Sequence, residues 1–182
     1  CHPEGYYAAT GRDVSPLGAV IPAIEKLASR ARSSGALVAY TKLTYDPVVG
    51  PMEARHTIVP EYWVTQGQRL LPNTWGVEVL DALAPQEGDL VIEKVNYSAF
   101  EGTYLDERLR ARGIRTVVLC GVVTYACVLS SGFSAFDRGF DVVMATDASG
   151  CWLPELGAAA GEIVGHLLGR AVAIDAIEFS SL

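Results

Sequence analysis

The chain has 182 residues and a mass of 19.4 kDa; half of its residues are apolar, 19% are charged, and the net charge is −7. That length fits one domain with a sizeable core, and the apolar content excludes a disordered chain. An acidic chain without a Lys/Arg cluster lacks the footprint of a nucleic-acid binder. The longest apolar stretch, Val117 to Leu129, is broken by Gly121, Thr124 and Tyr125, which argues against a membrane span. No basic region followed by an apolar one opens the chain, and the expected location is cytoplasmic. Cys1, Cys120, Cys127 and Cys151 form no C-x-x-C pair and have no histidine at metal-ligand spacing, so they read as reduced thiols rather than a disulfide or zinc framework.

In chain order, Pro16 to Arg32 reads as a helix with Val20, Ile24, Leu27 and Ala31 on one face, Ser15 as N-cap and Gly35 as stop. Leu37 to Leu43 reads as a strand. Asp46 to Leu71, rich in Pro and Gly, reads as an irregular surface excursion. A short helix is predicted over Trp75 to Leu83, then a turn at Pro85-Gln86-Glu87-Gly88 and a strand over Leu90 to Glu93, ending at Lys94. Thr103 is placed to cap a helix from Tyr104 to Arg112, with Asp106 completing a variant capping box. Thr116 to Gly121 is a continuous apolar strand, Ala126 to Asp137 a helix, Asp141 to Ala145 a strand, Pro154 to Leu168 a helix, and Ala171 to Ile174 a last strand.

Apolar strands alternating with amphipathic helices predict a doubly wound, mainly parallel sheet covered on both faces, an α/β/α sandwich in one domain over 1–182. Ligands in such sheets bind beyond the carboxyl ends of the strands, where Lys94 and the Gly121–Cys127 segment both fall. Cys127 sits at the predicted first turn of a helix, whose unpaired N–H groups and partial positive charge favour a thiolate and could hold an oxyanion. A nearby ammonium such as Lys94 would favour the thiolate further. The same residues read equally as a small apolar side chain facing the sheet and a solvated strand end.

The run Gly121-Val122-Val123-Thr124 through Cys127-Val128 resembles the G-V-x-T-x-x-C-V motif of the isochorismatase-like cysteine hydrolases. Lys94-Val95-Asn96-Tyr97-Ser98-Ala99-Phe100-Glu101-Gly102-Thr103-Tyr104-Leu105 resembles that family's lysine motif, and Thr74-Trp75-Gly76, Leu83 to Asp89 and Asp147-Ala148 also match. The resemblance covers Cys1 to about His166 and implies an α/β/α fold with an Asp–Lys–Cys triad. Cys127 matches the nucleophile and Lys94 the lysine. The Val122–Val123 peptide is expected to be cis, with the N–H groups of Val123 and Cys127 forming the oxyanion hole. The implied reaction is hydrolysis of a small amide, ureido or carbamoyl compound through a thioester, without a cofactor. The opening Cys1 to Asp13 and Thr74-Trp75-Gly76 look most like the branch acting on ureidoacrylate and biuret. Trp75, Tyr97, Phe100 and Tyr125 are candidates to line the substrate pocket, or are packing residues. A homo-oligomer is expected from the resemblance.

Three departures qualify the resemblance. The family's aspartate lies on a first strand, in a motif resembling D-M-Q-x-D-F, and no such strand occurs here; Asp13, in a polar stretch, is a poor substitute. The expectation is therefore of about 15 or more residues ahead of Cys1, supplying one strand of roughly 5–6 residues and its flanks. Tyr125-Ala126 replaces the commoner Asn-Val, and Leu129 stands where Glu is frequent. The metal-binding nicotinamidases use an aspartate and two histidines; Asp46 and His56 gain no second histidine, and His2 and His166 make no metal pair, so no metal is expected. Two other readings stay open: an inactive binding subunit, and an N-terminal nucleophile at Cys1, which would require a two-sheet αββα sandwich.

Overall fold

The computed structural model describes residues 2–45, 48, 58 and 70–179; Cys1, Asp46, His56 and most of the predicted excursion lie outside the described residues. Its helices are α1 (Tyr6–Ala9), α2 (Ser15–Gly18), α3 (Ile21–Ser33), α4 (Leu105–Arg110), α5 (Leu129–Asp137) and α6 (Pro154–Ile163). Its strands are β1 (Ala39–Leu43), β2 (Leu90–Lys94), β3 (Thr116–Val122), β4 (Asp141–Gly150) and β5 (Gly169–Val172).

Alternation along the strands builds the layers. Val142 and Met144 of β4 enter one core and Val143 and Ala145 the other. Val117 and Leu119 of β3 join the first, while Val118 and Cys120 join the second. Successive strand residues point to opposite faces, so a strand apolar at every position must be covered on both. The first core is closed by Leu105 and Leu109 of α4, Ala135 of α5, and Val164 and Leu168 beyond α6. The second is closed by Leu27 of α3 with Ile174 and Ile177. The predicted three-layer α/β arrangement follows from that pattern.

Among the described residues every strand pairing is parallel: β1 with β2 in one sheet, and β3-β4-β5 in the other. This removes the αββα sandwich that a Cys1 nucleophile would require. Among the described residues β1 and β3 each carry a ladder on one side only. Every residue of β3 is half-buried, although its sequence is almost wholly apolar. Among the described residues no helix is long and apolar enough to cross a membrane.

Several predicted elements are corrected. The helix over Pro16 to Arg32 is two helices, α2 and α3, parted at Ala19 and Val20. Pro22, near the start of α3, has no N–H for the carbonyl of Gly18, so the ladder breaks there. Ser15 is not the cap; its N–H instead donates to the Asp13 carboxylate at 2.9 Å. The Trp75 to Leu83 helix is two short 3₁₀ turns, Trp75–Val77 and Asp81–Leu83. Asp106 does not complete a capping box but pairs with Arg110 at 2.6 Å, while Thr103 Oγ does accept the Leu105 N–H at 3.3 Å. Two predicted helical runs carry a π-type turn, Thr124–Val128 at the start of the run that leads into α5 and Val164–Leu168 at the end of the run that begins with α6. Finally, β4 runs on to Gly150: after Leu119↔Met144 the register jumps to Gly121↔Ser149, and β4 accommodates the extra residues. Small polar residues in 146–150 look like a turn in isolation, and pairing to β3 makes them strand.

Candidate active site

β2 and β3 both end at the same edge of the molecule, and their last residues bring the two motif segments together. Lys94, the final residue of β2, is 4% exposed. Its Nζ donates to the carbonyl of Asn96 at 2.8 Å, to that of Tyr97 at 2.8 Å, and to Cys127 Sγ at 3.5 Å. An ammonium has three N–H bonds, so each has an acceptor. The two carbonyls satisfy its hydrogen bonds but leave the charge without a counter-ion. Among the described residues no carboxylate lies within ion-pair distance of Lys94, and Cys127 Sγ is its side-chain partner.

Cys127 reaches that position through an abrupt change of backbone direction. Gly121 has φ +109°, a conformation that L side chains rarely adopt, and the Val122–Val123 peptide is cis. The chain then enters a π-turn in which the Val123 carbonyl accepts the N–H of Ala126 at 3.1 Å and that of Val128 at 3.3 Å. That carbonyl thus passes over the N–H of Cys127. Thr124, at the same strand end, is 3% exposed, and its Oγ1 has no hydrogen-bond partner among the described residues. A buried hydroxyl left unpaired costs about 1–3 kcal/mol, so this strand end retains an unmet donor among the described residues.

The loop from Val95 to Tyr104 is held by its own polar side chains. Asn96 Nδ2 donates to the Glu101 carbonyl at 3.2 Å, and Thr103 Oγ1 to the Ala99 carbonyl at 2.6 Å. Two serines of α5 tie it to the helix that follows Cys127. Ser131 Oγ donates to the Cys127 carbonyl at 2.6 Å and accepts the Ala99 N–H at 2.9 Å. Ser134 Oγ accepts from Ser98 Oγ at 2.8 Å. Sequence reasoning passed over both. The detectable signal was the spacing of Ser131, four residues after Cys127, where a helical hydroxyl reaches back to a carbonyl.

The remaining predicted site residues separate. Tyr97 enters through its carbonyl, under the Lys94 ammonium. Tyr125 is half-buried within the π-turn, two residues before Cys127. Trp75 is 57% exposed, with its ring edge-on to His2 at 4.8 Å between centroids. Phe100 is 3% exposed, packs on Phe140 with centroids 5.7 Å apart, and belongs to the first core. Asp13, the nearest aspartate to the chain start, is exposed, and hydrogen bonds from Ser15 hold its carboxyl below the usual range. At Cys120, seven residues before Cys127, burial pushes the thiol up to about 11.

Fold and site together define a parallel α/β protein with a cysteine and a lysine meeting at the carboxyl edge of its strands. The family described as Isochorismatase domain matches residues 3–162, and the chain belongs to it. A ureidoacrylate amidohydrolase of Methylorubrum extorquens is 36% identical over 157 residues, covering 80% of this chain and 62% of that protein. The chain therefore spans about three-fifths of the length of that relative. Among solved structures, N-carbamoylsarcosine amidase from Thermoplasma acidophilum superposes with a TM-score of 0.75 at 28% identity, covering 90% of this chain and 87% of that one. A cysteine hydrolase from Pseudomonas syringae pv. phaseolicola gives 0.79 at 23% identity, over 96% and 83% of the two chains, and speaks for the fold.

Proposed function

We propose that this chain carries the active site of a cysteine-dependent amidohydrolase, with Cys127 as nucleophile and Lys94 as its cationic partner. The observation that carries the reading is the 3.5 Å approach of a buried ammonium to the Cys127 sulfur. A buried charge is costly unless it is paired, and a thiolate on Cys127 would supply the counter-charge. Membership of the family and the amidohydrolase and amidase relatives support C–N bond hydrolysis as the reaction.

In the proposed cycle a carboxylate takes the thiol proton and the sulfur attacks the carbonyl carbon of the substrate. The developing oxyanion is received by the N–H groups of Val123 and Cys127. The carboxylic acid returns the proton to nitrogen, the C–N bond breaks, and ammonia or an amine leaves a thioester on Cys127. Water, deprotonated by the same carboxylate, attacks the thioester; the C–S bond breaks and the acid product departs. The carboxylate is proposed to come from an additional strand pairing between β1 and β3. The one-sided ladders of these strands, the unmet hydroxyl of Thr124 and the lone charge of Lys94 all favour an acid arriving there.

For the substrate we propose a small ureido or N-carbamoyl compound, on the strength of the ureidoacrylate and N-carbamoylsarcosine relatives. Trp75, Tyr97 and Tyr125 remain the proposed contacts. A panel of ureido acids, N-carbamoyl amino acids and simple amides, assayed for ammonia release, tests the reading. Turnover that disappears in Cys127→Ala supports it, and turnover that persists there removes it.

A further inference from the structure

We propose that Ser131 is a positioning residue for the cysteine–lysine pair. The inference rests on the reading of Cys127 and Lys94 given above. Lys94 is anchored by the carbonyls of Asn96 and Tyr97, so the ammonium moves with the loop that carries them. Cys127 is carried by the turn that leads into α5. These two pieces come from different strands, and a displacement of about 1 Å at a reacting group can cost on the order of a hundredfold in rate. Something must fix their relative position.

Ser131 joins them directly. Its hydroxyl donates to the Cys127 carbonyl at 2.6 Å, on the nucleophile itself, and accepts the Ala99 N–H at 2.9 Å, on the lysine loop. The Ala99 carbonyl is fixed in turn by Thr103 at 2.6 Å. A closed circuit results: Lys94 ammonium, loop carbonyls, Ala99 N–H, Ser131 hydroxyl, Cys127 carbonyl, Cys127 sulfur, and back to the ammonium at 3.5 Å. Ser131 is 6% exposed and Ala99 is buried, so no solvent replaces the lost partner when the hydroxyl is removed. The Ser98–Ser134 bond ties the same loop to the same helix without touching Cys127. It supplies a matched control.

The test compares Ser131→Ala, Ser131→Thr, Ser131→Val and Ser134→Ala. Thr and Val have nearly the same shape and differ in the hydroxyl, so a folding defect caused by β-branching affects both. The expected result for Ser131→Ala and Ser131→Val is a kcat lowered about tenfold or more, with KM within roughly twofold and slower iodoacetamide alkylation of Cys127. Ser131→Thr is expected to restore kcat to within about threefold, and Ser134→Ala to leave kcat and alkylation within about twofold. Thermal unfolding of each variant separates lost stability from lost rate. Unchanged kcat in Ser131→Ala, equal loss in Thr and Val, or a matching loss in Ser134→Ala overturns the proposal. Cys127→Ala is assayed in parallel: turnover there removes the nucleophile reading, whereas a dead Cys127→Ala beside a fully active Ser131→Val removes the positioning inference alone.

Discussion

The turn after β3 and the loop after β2 meet at one site but are built by different means. Backbone geometry builds the first: Gly121 in a left-handed conformation and a π-turn gathered on the Val123 carbonyl. Side chains build the second, through Asn96, Thr103 and Ser98, with the Lys94 ammonium itself capping two carbonyls. The sulfur of Cys127 is therefore carried by a scaffold that does not need it. The ammonium of Lys94 is part of the scaffold it sits on.

That difference predicts unequal consequences for two substitutions at one site. Cys127→Ala should abolish turnover of any amide the protein hydrolyses, yet lower thermal stability by about 1 kcal/mol or less, because a small side chain is lost from a turn fixed by its backbone. Lys94→Met should lower kcat by about 10²–10⁴ and should also destabilise, since the Asn96 and Tyr97 carbonyls lose their donor, by about 1–3 kcal/mol each where no water replaces it. Assays of ammonia release beside thermal melts of the two variants check both halves. Equal stability losses would break the comparison.

A second contrast lies within the β3 unit, between its two cysteines. Cys120 is desolvated on the sheet face and its thiol is pushed up to about 11, so at pH 8 it is overwhelmingly protonated. Peptide mapping after brief iodoacetamide treatment at pH 8 should find Cys127 labelled and Cys120 unlabelled until the protein is unfolded. Labelling of Cys120 first would show that β3 is not covered as described.

The smallest expected effect lies at the opposite end of β1 and β2. Asp89, immediately before β2, is nearly buried and pairs with Arg32 of α3 at 2.6 Å, and Arg32 also donates to Tyr40 at 2.9 Å. Hydrogen bonds from Arg32 hold the Asp89 carboxyl below its usual range. A carboxyl lowered in the folded state stabilises above its unfolded value of about 3.9, and that contribution is lost as pH falls through the lower folded value. Asp89→Asn should therefore cost about 1–3 kcal/mol at pH 7 with turnover retained, and its deficit against the parent should shrink below about pH 4. Urea melts at pH 7 and pH 3.5 check the sign.

Much of this was legible because strands and site obey local rules. The uninterrupted apolar run over 116–121 demanded cover on both faces, and the two cores divide its residues alternately. Lys94 and Cys127 fall at strand ends, where a parallel sheet presents its site, and their motifs link them in the sequence itself. The failures were tertiary. Nothing in Thr146-Asp147-Ala148-Ser149-Gly150 announces a strand; pairing with β3 across a register jump extends β4 that far. The packing of Phe100 on Phe140 joins residues 40 positions apart and has no local signal in its motif. Only half of the Ser131 contact set is local: the Cys127 carbonyl lies four residues back, but its other partner Ala99 lies 32 positions away. Pro22 could have marked the break between α2 and α3, since a proline near a helix start is a better N-terminal than interior residue.

The most direct test of the central claim is mass spectrometry of the protein quenched in acid during turnover of an amide it hydrolyses. The account predicts an acyl adduct on the peptide containing Cys127, formed and discharged with the reaction and absent in Cys127→Ala. Steady turnover with Cys127 unmodified, or an adduct on Cys120 or Cys151 that keeps pace with product, would contradict it.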